Sequence, residues 1–103
     1  MSKTEKELLI EFTDNNSEVL TEIAKFIHSN PELGNQEFLS GRVLGSFLKK
    51  HNFTVTHNIA GHETGFTAKK VSSRPGPKIA FLAEYDALPE IGHGCGHNLI
   101  GTA

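Results

Sequence analysis

The sequence predicts an α/β fold, in which two helices precede three strands of a mixed sheet. Apolar residues recur at helical spacing in the first half of the chain, and they alternate or run together from Phe53 to Tyr85. The chain has 103 residues, which is enough for one small domain with a modest core. We therefore expect helices packed on one small sheet.

The composition excludes several classes of protein. The formal net charge is -2, so the chain lacks the basic character of nucleic-acid-binding proteins. No apolar run approaches the roughly 20 residues of a membrane span, and one cysteine cannot form an internal disulfide. We expect a soluble, cytoplasmic protein with no nucleic-acid or membrane partner.

The first helix is predicted from its start signal and its periodicity. Thr4 and Glu7 have the spacing of a capping box. The polar run 14–17 weakens the pattern, so the sequence fits either one helix or two. Five apolar residues at helical spacing predict a buried stripe: Val19, Leu20, Ile23, Phe26 and Ile27.

The second helix is predicted from about Gln36 to Lys50. Pro31 stops the first helix, because the residue before proline disfavours the helical conformation. Asn52 is a suitable residue to end the second helix. Its expected apolar face consists of Leu39, Val43, Leu44, Phe47 and Leu48.

Three strands are predicted after the second helix. Alternating apolar residues predict a strand over 53–59, and Gly61 marks a turn before the second strand, Thr64 to Val71. A loop rich in proline, 72–77, leads to the third strand, Lys78 to Tyr85. Its unbroken apolar run is typical of a central strand that is covered on both faces.

Cys95 and His97 are the candidate metal ligands. Thiolate and imidazole are preferred ligands of zinc and similar ions, and the intervening glycine allows a tight loop. For these two residues alone, a buried free cysteine beside a surface histidine is the alternative. His93 has two open roles, as a further ligand or as a hydrogen-bonding group within the loop.

Asp86 is the candidate catalytic-site acid. In an extended segment Glu84 and Asp86 share a face, and one carboxylate can orient a ligating histidine. The alternative is that both are solvated acids at a strand end. A catalytic zinc has three protein ligands plus water, so the site looks incomplete. The chain stops in a first helical turn after Asn98, and we expect it to continue.

The segment AEYDALPEIGHGCGHNLIGTA resembles the metal-binding segment of the M20 peptidases, in the amidohydrolase branch. HSNPELGNQE and TGFTA agree with that family in order and spacing. The resemblance covers about residues 26 to 103. It implies that residues 1–103 are the N-terminal part of a zinc-peptidase-like catalytic domain, without the inserted lid domain that commonly mediates dimerisation.

The resemblance also implies an activity and a site. The expected reaction is metal-dependent hydrolysis of a small N-acyl amino acid or dipeptide by a homodimeric enzyme. The family site holds two divalent ions, zinc or manganese. Cys95 and His97 match ligands, and Asp86 matches the aspartate that supports one. The general base and the other ligands are not in this sequence, so the 103 residues alone are expected to be inactive.

Two departures from the family bear on the substrate. Many members carry Asp at the positions of Glu84 and Asn98, and both changes resemble dipeptidase-like members. The alternative to an enzyme is a non-catalytic metal-binding or partner-binding module, or a degenerate truncated product. A redox role for Cys95 is weaker, because the chain has no second cysteine.

Overall fold

A computed structural model describes residues 2–103 of the chain. The helices are α1 (Glu5–Ser29), α2 (Phe38–Lys50) and α3 (His97–Thr102), and the strands are β1 (Thr54–Ile59) and β2 (His62–Lys69). The α/β class predicted from the sequence is confirmed. The two long helices and both strands of the first predicted pair lie where the periodicity placed them, within a few residues.

Helix α1 is continuous through the polar run 14–17. The predicted capping box forms at its start: the Glu7 amide donates to the Thr4 hydroxyl oxygen, and the Thr4 amide donates to the Glu7 carboxylate. Only the C-terminal part of the predicted stripe is buried, at Ile23 and Ile27. Val19 and Phe26 are exposed, because the body of the protein covers only the last turns of α1 on one side.

Helix α2 begins at Phe38, two residues after the predicted start. Its N-terminal amides are capped from a distance by Glu32, whose carboxylate accepts from the Leu39 and Ser40 amides at 2.9 and 2.8 Å. At the other end Asn52 has a positive φ of 71°, which ends the helix as expected.

Strands β1 and β2 form an antiparallel hairpin. Ile59 pairs with His62, so Ala60 and Gly61 form the turn, and both have positive φ (51° and 80°), as a type I′ turn requires. The register is irregular between His57 and Ile59. The predicted turn at Gly61 is confirmed.

The prediction of a third strand and a mixed sheet is wrong for residues 2–103. Their sheet contains β1 and β2 only. The segment from Lys78 to Tyr85 has no strand structure, and Phe81 and Leu82 are 92% and 96% exposed. A strand is stabilised by hydrogen bonds to neighbours, and no described strand lies beside this segment. An apolar run indicates that a segment can pair as a strand, but it does not provide the neighbouring strand that pairing requires.

The core lies where α1, α2 and the hairpin meet Tyr85. Its buried side chains are Ile23, Ile27, Leu44 and Tyr85, with Phe66 packed against them. The Tyr85 ring stacks on Phe66 with centroids 6.0 Å apart, and its hydroxyl donates to the Thr64 carbonyl at 2.5 Å. Tyr85 therefore anchors the end of the apolar segment, next to Asp86, in the core.

None of the helices within residues 2–103 combines the length and the apolar character needed to cross a membrane.

Candidate metal centre

The loop that carries the candidate ligands is fixed at its start. The Ala87 amide donates to the Glu32 carbonyl at 2.7 Å, and Leu33 and Ala87 form an isolated parallel bridge. The Leu88 amide donates to the Gly92 carbonyl at 2.8 Å, and the Gly92 amide returns a bond of 3.1 Å. These bonds close a tight loop between Asp86 and His93.

Asp86 and His97 are brought together, although eleven positions separate them. His97 Nδ1 lies 2.8 Å from Asp86 Oδ1 and 3.2 Å from the Asp86 carbonyl oxygen. Both of these oxygens are acceptors, so Nδ1 carries the proton and donates it. The pair therefore fixes the ring and its tautomer, which is how a carboxylate prepares a histidine for metal binding.

The other ring nitrogen of His97 faces Glu84. Nε2 lies 3.2 Å from Glu84 Oε2, and the Glu84 side chain is 71% exposed. The two carboxylates thus lie at opposite ring nitrogens. The hydrogen bond that His97 donates to the Asp86 carboxylate is the main cause that raises the pKa of His97, and the charges of Asp86 and Glu84 act in the same direction.

Cys95 is an exposed, free thiol in the same loop. Gly96 follows it with a φ of 75°, a conformation that glycine adopts readily, and α3 then starts at His97. Within residues 2–103 there is no group of three or more His, Cys, Asp or Glu side chains that could hold a metal ion. Metal binding by Cys95 and His97 stays a prediction.

The donor chemistry nevertheless fits a divalent ion in part. His97 has one ring nitrogen held by Asp86 and the other directed away from it, and the Cys95 thiol is accessible from solvent. Imidazole, thiolate and carboxylate are all ligands of zinc. The donors within residues 2–103 are fewer than a catalytic zinc needs, so they supply only part of a coordination shell.

His93 is buried, and neither ring nitrogen has a hydrogen-bond partner in the described part of the chain. Its ring lies 6.3 Å from that of His28, between centroids. Burial lowers the pKa of His93, as does the charge of His28, while the nearby Ile27 carbonyl opposes the shift without good hydrogen-bond geometry. The structure therefore shows neither of the two roles that the sequence left open for this residue.

Two contributors to the site were missed by reasoning from the sequence. No role was predicted for Glu32, which lies between the two predicted helices, but its carboxylate caps α2 and its carbonyl accepts from the Ala87 amide. Tyr85 was assigned to a strand end, but burial, followed by the charges of Glu37 and Glu32, raises its pKa to about 12. No sequence signal identifies Glu32, because it lies seven and eight positions before the amides that it caps, outside the spacing of an ordinary helix cap.

No family model matches the sequence. Curated relatives do match it. The chain is 40% identical to one subunit of the p-aminobenzoyl-glutamate hydrolase of Escherichia coli (strain K12) over 100 residues, which cover 81% of this chain and 20% of the relative. It is 37% identical to the Xaa-Arg dipeptidase of Homo sapiens in an alignment of 113 positions, gaps included, which covers 95% of this chain and 26% of the relative.

This chain is a homologue of the M20 peptidases and amidohydrolases. A third relative, thermostable carboxypeptidase 2 of Saccharolobus solfataricus, is 28% identical over 77% of the chain. The resemblance read from the sequence is thus confirmed. The chain spans only 20–26% of the length of the relatives named first.

Proposed function

We propose that this chain supplies part of the active site of a metal-dependent amidohydrolase. The substrate would be a small N-acyl amino acid or a dipeptide, the class that the names of the relatives indicate. The observation that carries the proposal is the 2.8 Å contact between Asp86 Oδ1 and His97 Nδ1, in a segment homologous to hydrolases of this kind.

The proposed roles follow from the geometry. Asp86 accepts a hydrogen bond from Nδ1–H of His97 and so holds the ring in one orientation. The same bond makes Nε2 more basic and therefore a better metal ligand. Cys95, as a thiolate, and His97, through Nε2, would hold zinc or manganese. The bound ion would supply Lewis-acid activation of water and of the scissile carbonyl. Glu84 must leave the Nε2 of His97 for this to occur.

The proposal includes the properties of the whole protein. We propose a homodimeric, cytoplasmic enzyme with two ions per site, in which the general base and the remaining ligands come from outside residues 1–103. The 103-residue polypeptide should then be inactive, because a catalytic zinc site needs three protein ligands and a base near its water. Hydrolysis of p-aminobenzoyl-glutamate or of a dipeptide by this polypeptide, with zinc or manganese added, would contradict this part of the proposal.

Metal binding tests the proposal most directly. Equilibrium dialysis against zinc should show binding by the 103-residue protein and a loss of at least about tenfold in affinity for Cys95→Ser and for His97→Gln. His62→Gln is the matched control, because His62 is an exposed histidine that contacts Asn35 and not the loop. Equal metal content in wild type and Cys95→Ser would contradict the ligand assignment.

A non-catalytic metal-binding or partner-binding module is the second candidate. One observation favours its partner-binding form: residues 2–103 contain no group of three side chains that could hold an ion. The two candidates differ in the longer protein. If the chain is part of an enzyme, a longer protein that contains it should hydrolyse the amide substrate, and the activity should depend on Asp86 and His97. A non-catalytic module predicts no such activity.

A further inference from the structure

Glu32 joins the start of α2 to the start of the ligand loop. Its carboxylate accepts from two α2 amides, at 2.8 and 2.9 Å, and its carbonyl accepts from the Ala87 amide at 2.7 Å. The first two bonds place a negative charge at the positive end of the helix. Glu32 is therefore held on one side by its side chain, and it holds Ala87 on the other side through its main chain.

The bond to Ala87 fixes a particular peptide group. The amide N–H of Ala87 and the carbonyl of Asp86 belong to one planar unit, so the direction of one sets the direction of the other. The N–H points to the Glu32 carbonyl, and the carbonyl oxygen lies 3.2 Å from His97 Nδ1. The side chain of Asp86 leaves the same residue and bonds the same nitrogen at 2.8 Å.

The surroundings of this peptide leave little freedom. Ala87 is 4% exposed, and Leu33 forms the parallel bridge beside it. A Cβ placed on Gly34 would lie 4.0 Å from Asp86 Oδ2, so the segment after Glu32 passes directly by the carboxylate. A series of hydrogen bonds thus connects α2 to the His97 ring, through Glu32, the Asp86–Ala87 peptide group and the two Asp86 oxygens.

We propose that Glu32 is a positioning residue for the Asp86–His97 pair, acting through the Asp86–Ala87 peptide group. Its role is to hold the acceptor oxygens of Asp86 at the distance that keeps the His97 ring in one orientation. This inference rests on the proposed function for its purpose, but its geometry can be tested without any metal.

The test uses NMR on the 103-residue protein without metal. The Nδ1 proton of His97 should be visible as a slowly exchanging signal at low field, and Asp86→Asn should abolish or shift it, which identifies the signal. Glu32→Ala should weaken that signal and reduce the protection of the Ala87 amide about tenfold, since it removes the two charge-assisted hydrogen bonds that hold residue 32 against α2. Glu32→Gln should be intermediate, because its amide oxygen can still accept one helix N–H.

Glu37→Gln is the matched control. Glu37 also lies at the start of α2, but its carboxylate contacts the Gln36 amide and the Thr64 hydroxyl, not the ligand loop. It should change the stability of α2 and leave the His97 signal and Ala87 protection as in wild type. If Glu32→Ala does not fold, the comparison of Glu32→Gln with Glu37→Gln decides the question.

Two results would overturn the inference. One is a normal His97 signal and normal Ala87 protection in both Glu32 variants despite lower stability, which would make Glu32 a helix cap only. The other is equal loss of both signals in Glu37→Gln, which would mean that any weakening of α2 has the same effect. Failure of zinc binding by the wild type would instead contradict the proposed function, and it would leave these two readouts unaffected.

Discussion

Two stretches that the sequence predicts as strands have different structures in this protein. Residues 54–69 form a hairpin, whereas the more apolar run Ile79–Ala83 has no strand structure and is exposed. The hairpin partners are neighbours in sequence and need only the short turn at Ala60 and Gly61 to meet. Closing a short loop has a low entropic cost, so the two strands of the hairpin find each other more easily than strands that are far apart in sequence.

The difference teaches that strand propensity and strand formation have separate causes. The run Ile79–Ala83 satisfies the pattern of a buried strand, but no strand lies beside it within residues 2–103. An apolar run without a neighbour leaves both its side chains and its backbone groups in water. The hairpin strands have a weaker apolar pattern, but each has a hydrogen-bonded neighbour. The presence of that neighbour determines whether a strand forms.

The largest change in the free energy of unfolding should come from a substitution in the core that the hairpin and the helices share. Ile27 is 0% exposed, so Ile27→Ala should lower the free energy of unfolding by about 2–5 kcal/mol, since it removes buried methyl groups and leaves a cavity. Phe81 is 92% exposed, and Phe81→Ala should change it by less than about 0.5 kcal/mol. Urea denaturation measures both. Equal losses would show that the apolar run is packed in solution.

The rates of amide hydrogen exchange should differ between the hairpin and the run Ile79–Ala83 in the unmodified protein. Paired amides near Thr56 and Thr67 should exchange more than about tenfold more slowly than those of Phe81 and Leu82, which corresponds to about 1.4 kcal/mol of local stability. Exchange followed by mass spectrometry or NMR gives the ratio. Comparable protection at Phe81 would mean that this run finds a partner, for instance in a second molecule, and dilution would then remove the protection.

A smaller effect is expected at the start of α1, where the body of the protein gives no cover. Thr4→Ala removes the hydroxyl half of the capping box and should cost about 1 kcal/mol of helix stability. Because the first turns of α1 are exposed, the loss should appear as fraying and not as global unfolding. Circular dichroism and amide exchange over residues 5–10 would show it, with Thr13→Ala as the control inside the helix.

The smallest effect should be the pH dependence due to His97. Its pKa is raised above the ordinary value of 6.5, mainly by the Asp86 hydrogen bond. The stabilisation is therefore complete below pH 6.5 and is lost as the pH rises through the raised pKa. The effect is small because the Asp86 and Glu84 side chains are 37% and 71% exposed, so solvent screens both charges.

Denaturation of the metal-free protein at several pH values measures this dependence. His97→Gln should flatten the decline in stability above pH 6.5, and His62→Gln, which changes an exposed histidine, should not. A decline of equal slope in His97→Gln would assign the pH dependence to other groups.

The candidate site was predictable in part. The motif around Cys95 and His97, and the choice of Asp86 over Glu84 as the supporting acid, came from residue types and spacing. The structure places Asp86 against His97 as that choice requires. It does not bring Cys95 into a group of three donors within residues 2–103, because that depends on residues far apart in sequence.

The sequence by itself determined what is local in this protein. The capping box at Thr4, the turn at Gly61 and the helix end at Asn52 each depend on a few adjacent residues and on backbone angles that those residues favour. Homology, which needs no coordinates, determined the family.

Only the tertiary structure decided what requires distant residues to meet. It showed that Glu32 caps α2 and holds the Asp86–Ala87 peptide, and that Ile79–Ala83 lacks a neighbour within residues 2–103. The physical reason is the same in each case. A hydrogen bond or a strand pair needs two partners in one place, and a pattern along the chain describes only one of them.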